Sequence, residues 1–212
     1  MAHISIDNSP TPIRLFKSDF LEFFTHIHPV VIVIIWAPTA IFFLVHEILA
    51  RPTALSPLYI PAGFVAGLFL WTLVEYTLHR FVFHYKARSP FQERIVFLFH
   101  GIHHAQPQCK TRLVMPPVVS IPLAGLLYGL LFLIFGPVFG LPHLVDPLMS
   151  GLLTGYLVYD LTHYATHHFP MRWGFLKFLK RYHMMHHYKT PDRRFGVSSP
   201  LWDIVFRTQE RS

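Results

Sequence analysis

The residues from Leu113 to Val145 form a long apolar stretch that contains no Asp, Glu, Lys or Arg. A helix needs roughly 20 apolar residues to cross the hydrocarbon core of a bilayer, which is about 30 Å thick. This stretch is too long for one such helix, and Gly136-Pro137 is a turn signal inside it. The pattern therefore predicts two membrane-spanning helices, near residues 117–135 and 144–163.

Two earlier stretches, near residues 29–48 and 58–78, are also apolar enough and long enough to span a bilayer. Only 14% of all residues are charged, whereas a soluble domain has about a quarter, so much of the surface must face lipid. We predict an all-α integral membrane protein with four transmembrane helices in two hairpins. The whole chain, 1–212, is expected to form a single domain.

The basic residues predict the orientation. All eighteen Lys and Arg except Arg51 fall on one side of the predicted spans, and that side is expected to be cytoplasmic. Both termini and a helical cap, residues 79–115 and 164–212, should lie there, at a bacterial inner membrane or the endoplasmic reticulum. The net charge of +7 suits anionic lipid headgroups, and no nucleic-acid partner is expected.

Ten of the sixteen histidines fall into four spaced groups on the predicted cytoplasmic side. They are His79 and His84; His100, His103 and His104; His163 and His167; and His183, His186 and His187. Residues at i, i+3 and i+4 share one face of a helix, so each HxxHH motif presents three imidazoles together. His79 and His84 are five residues apart, so either the helix breaks between them or they serve different metal ions.

Imidazole is a good ligand for iron, zinc, copper and nickel. One ion takes four to six ligands, so ten histidines predict two ions at the cytoplasmic ends of the helices. Isolated histidines at an interface are usually just hydrogen-bonded, but ten of them at one depth would cost too much desolvation without a ligand. Two redox-active ions suit the activation of O2, which zinc cannot perform. The chemistry predicts a membrane dimetal oxidase acting on a lipid.

Two carboxylates lie in or beside the apolar spans. Glu75 is one helical turn before His79, and Asp160 is three residues before His163. A metal-bound imidazole usually donates its second N–H to an acceptor, which fixes its tautomer and orientation. We expect both carboxylates to act in this way, with direct ligation or the capping of a helix end as alternatives.

From about Trp71 to Thr208 the chain resembles the fatty acid hydroxylase superfamily, and within it the sphingolipid fatty acid 2-hydroxylases. The shared segments are HRFVFH (79–84), HGIHH (100–104), RLVMPP (112–117), GYLVYDLTHYATHH (155–168), YHMMHHYK (182–189) and FGVSSPLWDIVF (195–206). Sterol desaturases and carotenoid hydroxylases share the histidine spacings, so a sterol desaturase or C-4 methyl oxidase and a carotenoid hydroxylase remain alternatives. A metal transporter is a remote one, because its ligands should lie near the bilayer midplane.

The resemblance implies a four-span enzyme whose ten histidines bind two iron ions, with zinc as a substitute acquired during purification. It also implies O2 as co-substrate and hydroxylation at C2 of a fatty acyl chain, with ceramide or a related membrane lipid as substrate. Animal and fungal members carry a cytochrome b5 domain, and only about 28 residues precede the first predicted span here. A separate electron donor, cytochrome b5-like or ferredoxin-like, is therefore expected.

The predicted topology places the site under the cap, so an acyl chain should enter sideways from the bilayer. Its polar head is then expected near Arg112 or Lys189. A basic outer face of the cap is expected to bind an acidic electron carrier. That face consists of Lys177, Lys180, Arg181, Arg193 and Arg194.

Overall fold

A computed structural model of the protein describes residues 6–9 and 11–210; the remainder of the predicted domain, 1–212, lies outside the described residues. Within the described part every regular element is helical, which confirms the all-α class. The chain forms two compact units. The first takes the described residues of Met1–Pro29, Thr72–Val114 and Tyr159–Ser212, and the second takes Val30–Trp71 and Met115–Val158.

Among the residues that the structure describes, three helical stretches are long and apolar enough to cross a membrane: Pro29–Ala50, Tyr59–Phe83 and Pro117–Val138. They correspond to the predicted spans 29–48, 58–78 and 117–135. In helix terms they are α2 (Pro29–Ala50), α3 (Tyr59–Thr77) with a π turn (Leu78–Phe83), and α6 (Pro117–Leu133) with a π turn (Ile134–Val138).

Apart from residue 144, the predicted fourth span, 144–163, lies in α7 (Val145–His168), a helix of 24 residues. By length and composition α7 is not among the described helices that could cross a membrane. It contains Asp146 and Asp160, and most of its residues are buried. Four spans and the hairpin arrangement therefore stay predictions.

Glycines let α3 and α7 approach closely inside the second unit. A Cβ on Gly67 would lie 2.1 Å from the carbonyl oxygen of Leu148, and one on Gly151 would lie 2.1 Å from that of Phe64. Small residues at helix contacts are typical of membrane proteins, where close packing rather than hydrophobic exclusion holds helices together. Ser150 Oγ also donates to the carbonyl of Ala40 in α2, at 2.8 Å.

The first unit contains shorter helices. They are α1 (Asp19–Phe23), α4 (Pro90–Val96), a π turn (Phe97–Gly101), α5 (Ile102–Ala105), α8 (Gly174–Tyr188) and α9 (Leu201–Val205), together with the later parts of α3 and α7. The N-terminal segment packs on the loop after α5. There the amide of Asp7 donates to Ala105 O at 2.7 Å, and the buried Gln106 side chain accepts from Ile13 N at 2.9 Å. These bonds fix the end of the helix that carries the first HxxHH motif.

Candidate metal centre

The structure brings all ten predicted histidines together in the first unit, in two groups of five. Group A consists of His79, His84, His100, His104 and His186; group B consists of His103, His163, His167, His183 and His187. Within each group one ring nitrogen from every residue lies within 4.8 Å of the others. All ten residues are buried except His104, which is partly exposed.

A π turn joins His79 and His84. The amide of His84 donates to the carbonyl of His79 at 3.1 Å, an i→i+5 bond that puts residues five apart one above the other. The helix therefore widens between the two histidines rather than breaking, and both imidazoles belong to group A. Single π turns within α-helices are frequent at functional sites.

Each HxxHH motif is divided between the two groups. His100 and His104 belong to group A and His103 to group B, whereas His183 and His187 belong to group B and His186 to group A. The three imidazoles of each motif do lie together, as predicted, but the face they share straddles both groups. The groups are neighbours, since the rings of His104 and His187 stack with centroids 4.1 Å apart.

The distances between ring nitrogens fit two metal ions. In group A, Nε2 atoms are separated by 3.1 Å (His79–His100), 3.0 Å (His100–His104) and 3.1 Å (His84–His186). In group B the separations are 2.9 Å (His103–His163), 2.9 Å (His103–His187) and 2.9 Å (His167–His183). Two imidazole nitrogens that bind one ion at about 90° with bonds of about 2.1 Å are separated by about 3.0 Å.

Hydrogen bonds fix the tautomers of two ligands in group A. Nδ1 of His79 lies 2.5 Å from Phe195 O, and Nδ1 of His186 lies 2.6 Å from Arg193 O. A carbonyl oxygen can only accept, so both Nδ1 atoms carry a hydrogen and a neutral ring leaves a lone pair on Nε2. Lone pairs that face each other at about 3 Å repel unless a cation lies between them, so the donor set fits a metal ion.

The rings are held in the neutral form. Burial, and then the neighbouring imidazoles of His186 and His104, lower the pKa of His84 to about 2. Burial likewise lowers the pKa of His186 to about 4. In group B, burial and the adjacent histidines lower the pKa values of His103 and His183 well below their usual range. Neutral imidazole is the metal-binding form.

The two acceptor carbonyls of group A lie on one loop, residues 193–198, which two buried carboxylates hold. Asp203 Oδ1 accepts from Phe195 N at 3.0 Å, and Asp203 Oδ2 accepts from Gly196 N at 2.7 Å. Glu75 Oε1 accepts from the amides of Val197 and Ser198, at 2.7 and 2.9 Å. The hydrogen bonds described for Glu75 thus go to the loop rather than to an imidazole.

Comparison with known proteins matches residues 64–208 to the model of the fatty acid hydroxylase family. This range covers more than half of the chain and all ten histidines. The chain belongs to the fatty acid hydroxylase family. It is therefore an enzyme.

Relatives in this family are similar over almost the whole chain. The dihydroceramide fatty acyl 2-hydroxylase FAH1 of Arabidopsis thaliana is 37% identical over 92% of this chain and 79% of its own length. The fatty acid 2-hydroxylase of Homo sapiens is 34% identical over 93% of this chain and 56% of its own. A solved structure of full-length scs7p, in which only the hydroxylase domain is visible, has a TM-score of 0.82 and 35% identity over 93% of this chain and 72% of that one.

The other predicted site residues of this hydroxylase are placed as follows. Asp160 is 1% exposed and lies in α7, close to one turn before His163. The side chain of Arg112 is buried, and its Nη2 lies 2.7 Å from Glu22 Oε1 and 3.0 Å from His26 Nε2. Lys189 is exposed at the C-terminal end of α8.

The predicted basic outer face is smaller than expected. Arg194 is 5% exposed, and its Nη2 pairs with Glu210 at 2.6 Å, so it is not part of an outer face. Lys180 donates to the carbonyls of Thr166 and Phe169, at 2.7 and 2.8 Å, where it caps the end of α7. Lys177, Arg181 and Arg193 remain exposed.

The sequence reasoning missed Asp203 and the carbonyls of Arg193 and Phe195. The segment FGVSSPLWDIVF carries part of the family resemblance, but the sequence indicates no role for its aspartate. Backbone acceptors leave no signal in side-chain spacing, so only the closeness of the signature to the last HxxHH motif pointed to them.

Proposed function

We propose that this hydroxylase introduces a hydroxyl group at C2 of the fatty acyl chain of a ceramide or a related sphingolipid, using two iron ions and O2. The observation that carries the proposal is the pair of five-histidine groups, in a chain whose relatives are named dihydroceramide and ceramide fatty acyl hydroxylases. Two redox-active ions supply the two-electron activation of O2 that hydroxylation of a C–H bond needs.

The ligand arrangement favours iron over zinc. A tetrahedral zinc site with bonds of about 2.1 Å would separate its ligand nitrogens by about 3.4 Å, and zinc sites hold four ligands or three plus water. Each group offers five nitrogens, and neighbouring Nε2 atoms are 2.9–3.1 Å apart. This supports a higher coordination number with angles near 90°. Zinc that enters during purification is an inactive substitute, because it has no redox chemistry.

The protein's own residues bind and orient the metals and exclude water. The imidazoles act as ligands, while Arg193 O and Phe195 O fix two of their tautomers. Asp160, buried close to one turn before His163, is proposed to support group B, although Nδ1 of His163 makes no described hydrogen bond. Glu75 is proposed to act through the loop it holds. Burial of nearly all ten rings keeps bulk water away from the reacting atoms.

We further propose a multi-pass membrane enzyme in one domain with four spans, both termini and the cap on the cytoplasmic side. Three sufficiently apolar helices and the one-sided distribution of Lys and Arg support this topology. The ceramide hydroxylase names of the relatives favour the endoplasmic reticulum, and a bacterial inner membrane fits the same topology.

An acyl chain in this arrangement enters sideways from the bilayer, so that its C2 is measured from the headgroup. Lys189 is the better headgroup candidate because it is exposed, whereas Arg112 is buried and paired with Glu22. Electrons come from a separate carrier, cytochrome b5-like or ferredoxin-like, and the exposed Lys177 and Arg181 on α8 suit an acidic one.

The test is expression in a host that lacks 2-hydroxy fatty acids, followed by mass spectrometry of its lipids. We expect 2-hydroxyacyl sphingolipids with the native chain and none with the matched His103→Ala variant. A hydroxyl elsewhere on the chain, or an oxidised sterol or carotenoid instead, would contradict the proposal and identify another superfamily reaction. Metal uptake without any lipid product would indicate a transporter.

A further inference from the structure

We infer that Asp203 and Glu75 form a two-carboxylate clamp on the loop 193–198, and that this clamp positions group A but not group B. The inference deepens the proposed function, because it rests on the two histidine groups being metal sites. It assigns Asp203 as a positioning residue, which acts through the carbonyls that His79 and His186 use.

The loop presents its carbonyls in an uncommon conformation. Arg193 O and Phe195 O accept from the two ligands, and Arg194 between them has φ +59°, in the left-handed region that non-glycine residues rarely occupy. Such a residue persists only where its surroundings over-determine it. Here Arg194 N donates to Thr208 O at 3.1 Å, and its guanidinium pairs with Glu210.

The clamp takes four consecutive amides. Those of Phe195 and Gly196 go to Asp203, and those of Val197 and Ser198 go to Glu75. Both carboxylates are almost fully buried, at 0% and 3% exposure. Burying a carboxylate is costly unless several donors compensate it, and these amides do so while leaving the neighbouring carbonyls to the histidines.

The packing leaves no room for a side chain at Gly196. A Cβ on Gly196 would lie 2.0 Å from Ser199 O and 3.1 Å from Asp203 Oδ2. Thr208 Oγ1 donates to Asp203 Oδ1 at 2.6 Å, which fixes the carboxylate itself. The loop, its clamp and the two ligands therefore form one rigid hydrogen-bonded set.

Group B has no corresponding device among the described residues. Nδ1 of His103, His163, His167 and His183 is buried and accepts or donates no described hydrogen bond. None of the hydrogen bonds described for its five members reaches Arg193 O or Phe195 O, so releasing the loop should free the group A ligands alone. The two carboxylates also differ in how they use their oxygens, and this allows a sharp test.

Asp203 Oδ1 and Oδ2 each accept from one backbone amide. Glu75 Oε1 instead accepts from both of its amides, and Glu75 Oε2 accepts from the Ser198 hydroxyl. An amide side chain has one acceptor oxygen. Asp203→Asn must therefore set an NH2 group against a backbone N–H, whereas Glu75→Gln can keep Oε1 on both amides and donate to the Ser198 hydroxyl. Asp203→Asn should release the loop, Glu75→Gln should not, and Glu75→Ala should.

The experiment measures iron per chain in the purified full-length protein, at rest and after timed exposure to a chelator. We expect about two ions in the native chain and in Glu75→Gln, and about one in Asp203→Asn and Glu75→Ala. Losing an outer-shell partner typically costs about 10- to 100-fold in metal affinity. Asp146→Asn is the matched control, since Asp146 is a buried carboxylate in the other unit, paired with His46 at 2.5 Å, and should keep both ions.

If Asp203 had a merely structural role, Asp203→Asn would lower the occupancy of both metal sites together, and that result would overturn the clamp. Two ions per chain that leave Asp203→Asn at the native rate would also overturn it. Fewer than two ions in the native chain would instead contradict the two-metal function, so the two failures are distinct. If Asp203→Asn does not accumulate, Thr208→Val removes the donor to Oδ1 and leaves the amide bonds. It should then speed the loss of one ion only, and unchanged or parallel loss would contradict the clamp.

Discussion

The two histidine groups have the same size but are built differently. Group B takes His163 and His167 from one regular helix and His183 and His187 from another, each pair at i and i+4. Group A takes His79 and His84 from a π turn, and two of its rings are anchored by carbonyls of an irregular loop. Regular helix geometry positions four of the five members of group B, whereas group A depends more on a π turn and on loop contacts.

This difference indicates where the site is most easily disturbed. An α-helix holds residues at i and i+4 on one face without outside help. A π turn and a left-handed residue both depend on their surroundings. Group A should therefore be more sensitive than group B to changes in the loop 193–198 and the residues that support it. The partly exposed His104 also belongs to group A.

Each HxxHH motif has two histidines in one group and one in the other, and the largest effect is expected from removing that single histidine. His103→Ala and His186→Ala should each abolish activity and lower the iron content from about two to about one, because every nearby imidazole on the same face already serves a group. Metal analysis and lipid mass spectrometry measure both effects. The control His143→Ala lies in the other unit, where it packs on Tyr59, and should retain both ions.

Substantial activity in either variant would show that a spare ligand exists. Loss of both ions from His103→Ala and from His186→Ala would show that the groups cannot be separated at all.

Two pairs of group B, His163 with His167 and His183 with His187, could be predicted from the sequence because their i and i+4 spacing is that of an ordinary helix, whereas the place of His103 beside them could not. The three most apolar spans could be predicted for the same kind of reason, since hydropathy alone determines them. The predicted limits 29–48 and 58–78 differ little from α2 (Pro29–Ala50) and α3 (Tyr59–Thr77). The helix predicted at 144–163 continues to His168, which keeps His163 and His167 in register.

Group A could not be assembled from the sequence in the same way. An ideal helix places His79 and His84 on different faces, and only the i→i+5 bond, formed in the folded protein, aligns them. Asp203 follows a Ser-Pro-containing segment that is typical of a loop, so nothing local distinguishes it from a solvated aspartate. Its function depends on amides seven and eight residues earlier, which become its partners only after folding.

The next effect concerns Asp160, which is proposed to support group B. Asp160→Asn should lower activity and iron retention by about 10- to 100-fold, because the amide replaces the buried carboxylate beside His163 by a weaker acceptor. The ion that remains should be the one that Asp203→Asn loses, so the double variant should retain almost none. Size-exclusion elution should stay native, and full activity would return Asp160 to an ordinary polar residue of α7.

A smaller effect is expected from pH on the metal-free protein. The pKa of His84 is about 2 in the folded state, below its usual 6.5, because of burial and neighbouring imidazoles. Below about pH 6.5 the unfolded chain therefore binds protons that the folded chain does not, and stability falls as the pH falls. Each such histidine contributes up to about 1.4 kcal/mol per pH unit. Thermal unfolding in detergent measures this slope.

His84→Gln and His183→Gln should each reduce that slope, since each removes one group that protonates only on unfolding. A metal-free protein that gains stability on acidification would contradict the neutral, buried state of both groups.

The smallest effect is expected from a change that touches neither group. Lys177 and Arg181 lie one turn apart on the exposed face of α8, the helix whose opposite face carries ligands of both groups. Lys177→Glu combined with Arg181→Glu should slow turnover roughly a few-fold at low ionic strength, because an acidic electron carrier loses its attraction. The difference should shrink at physiological salt, where the screening length is about 8 Å.

Lys86→Glu with Arg88→Glu makes the same charge change on another exposed segment and should have less effect. Equal slowing by both double variants would show that net charge, and not a docking face on α8, attracts the carrier. Loss of iron from the α8 double variant would show that the outer face of the helix is coupled to the histidine groups.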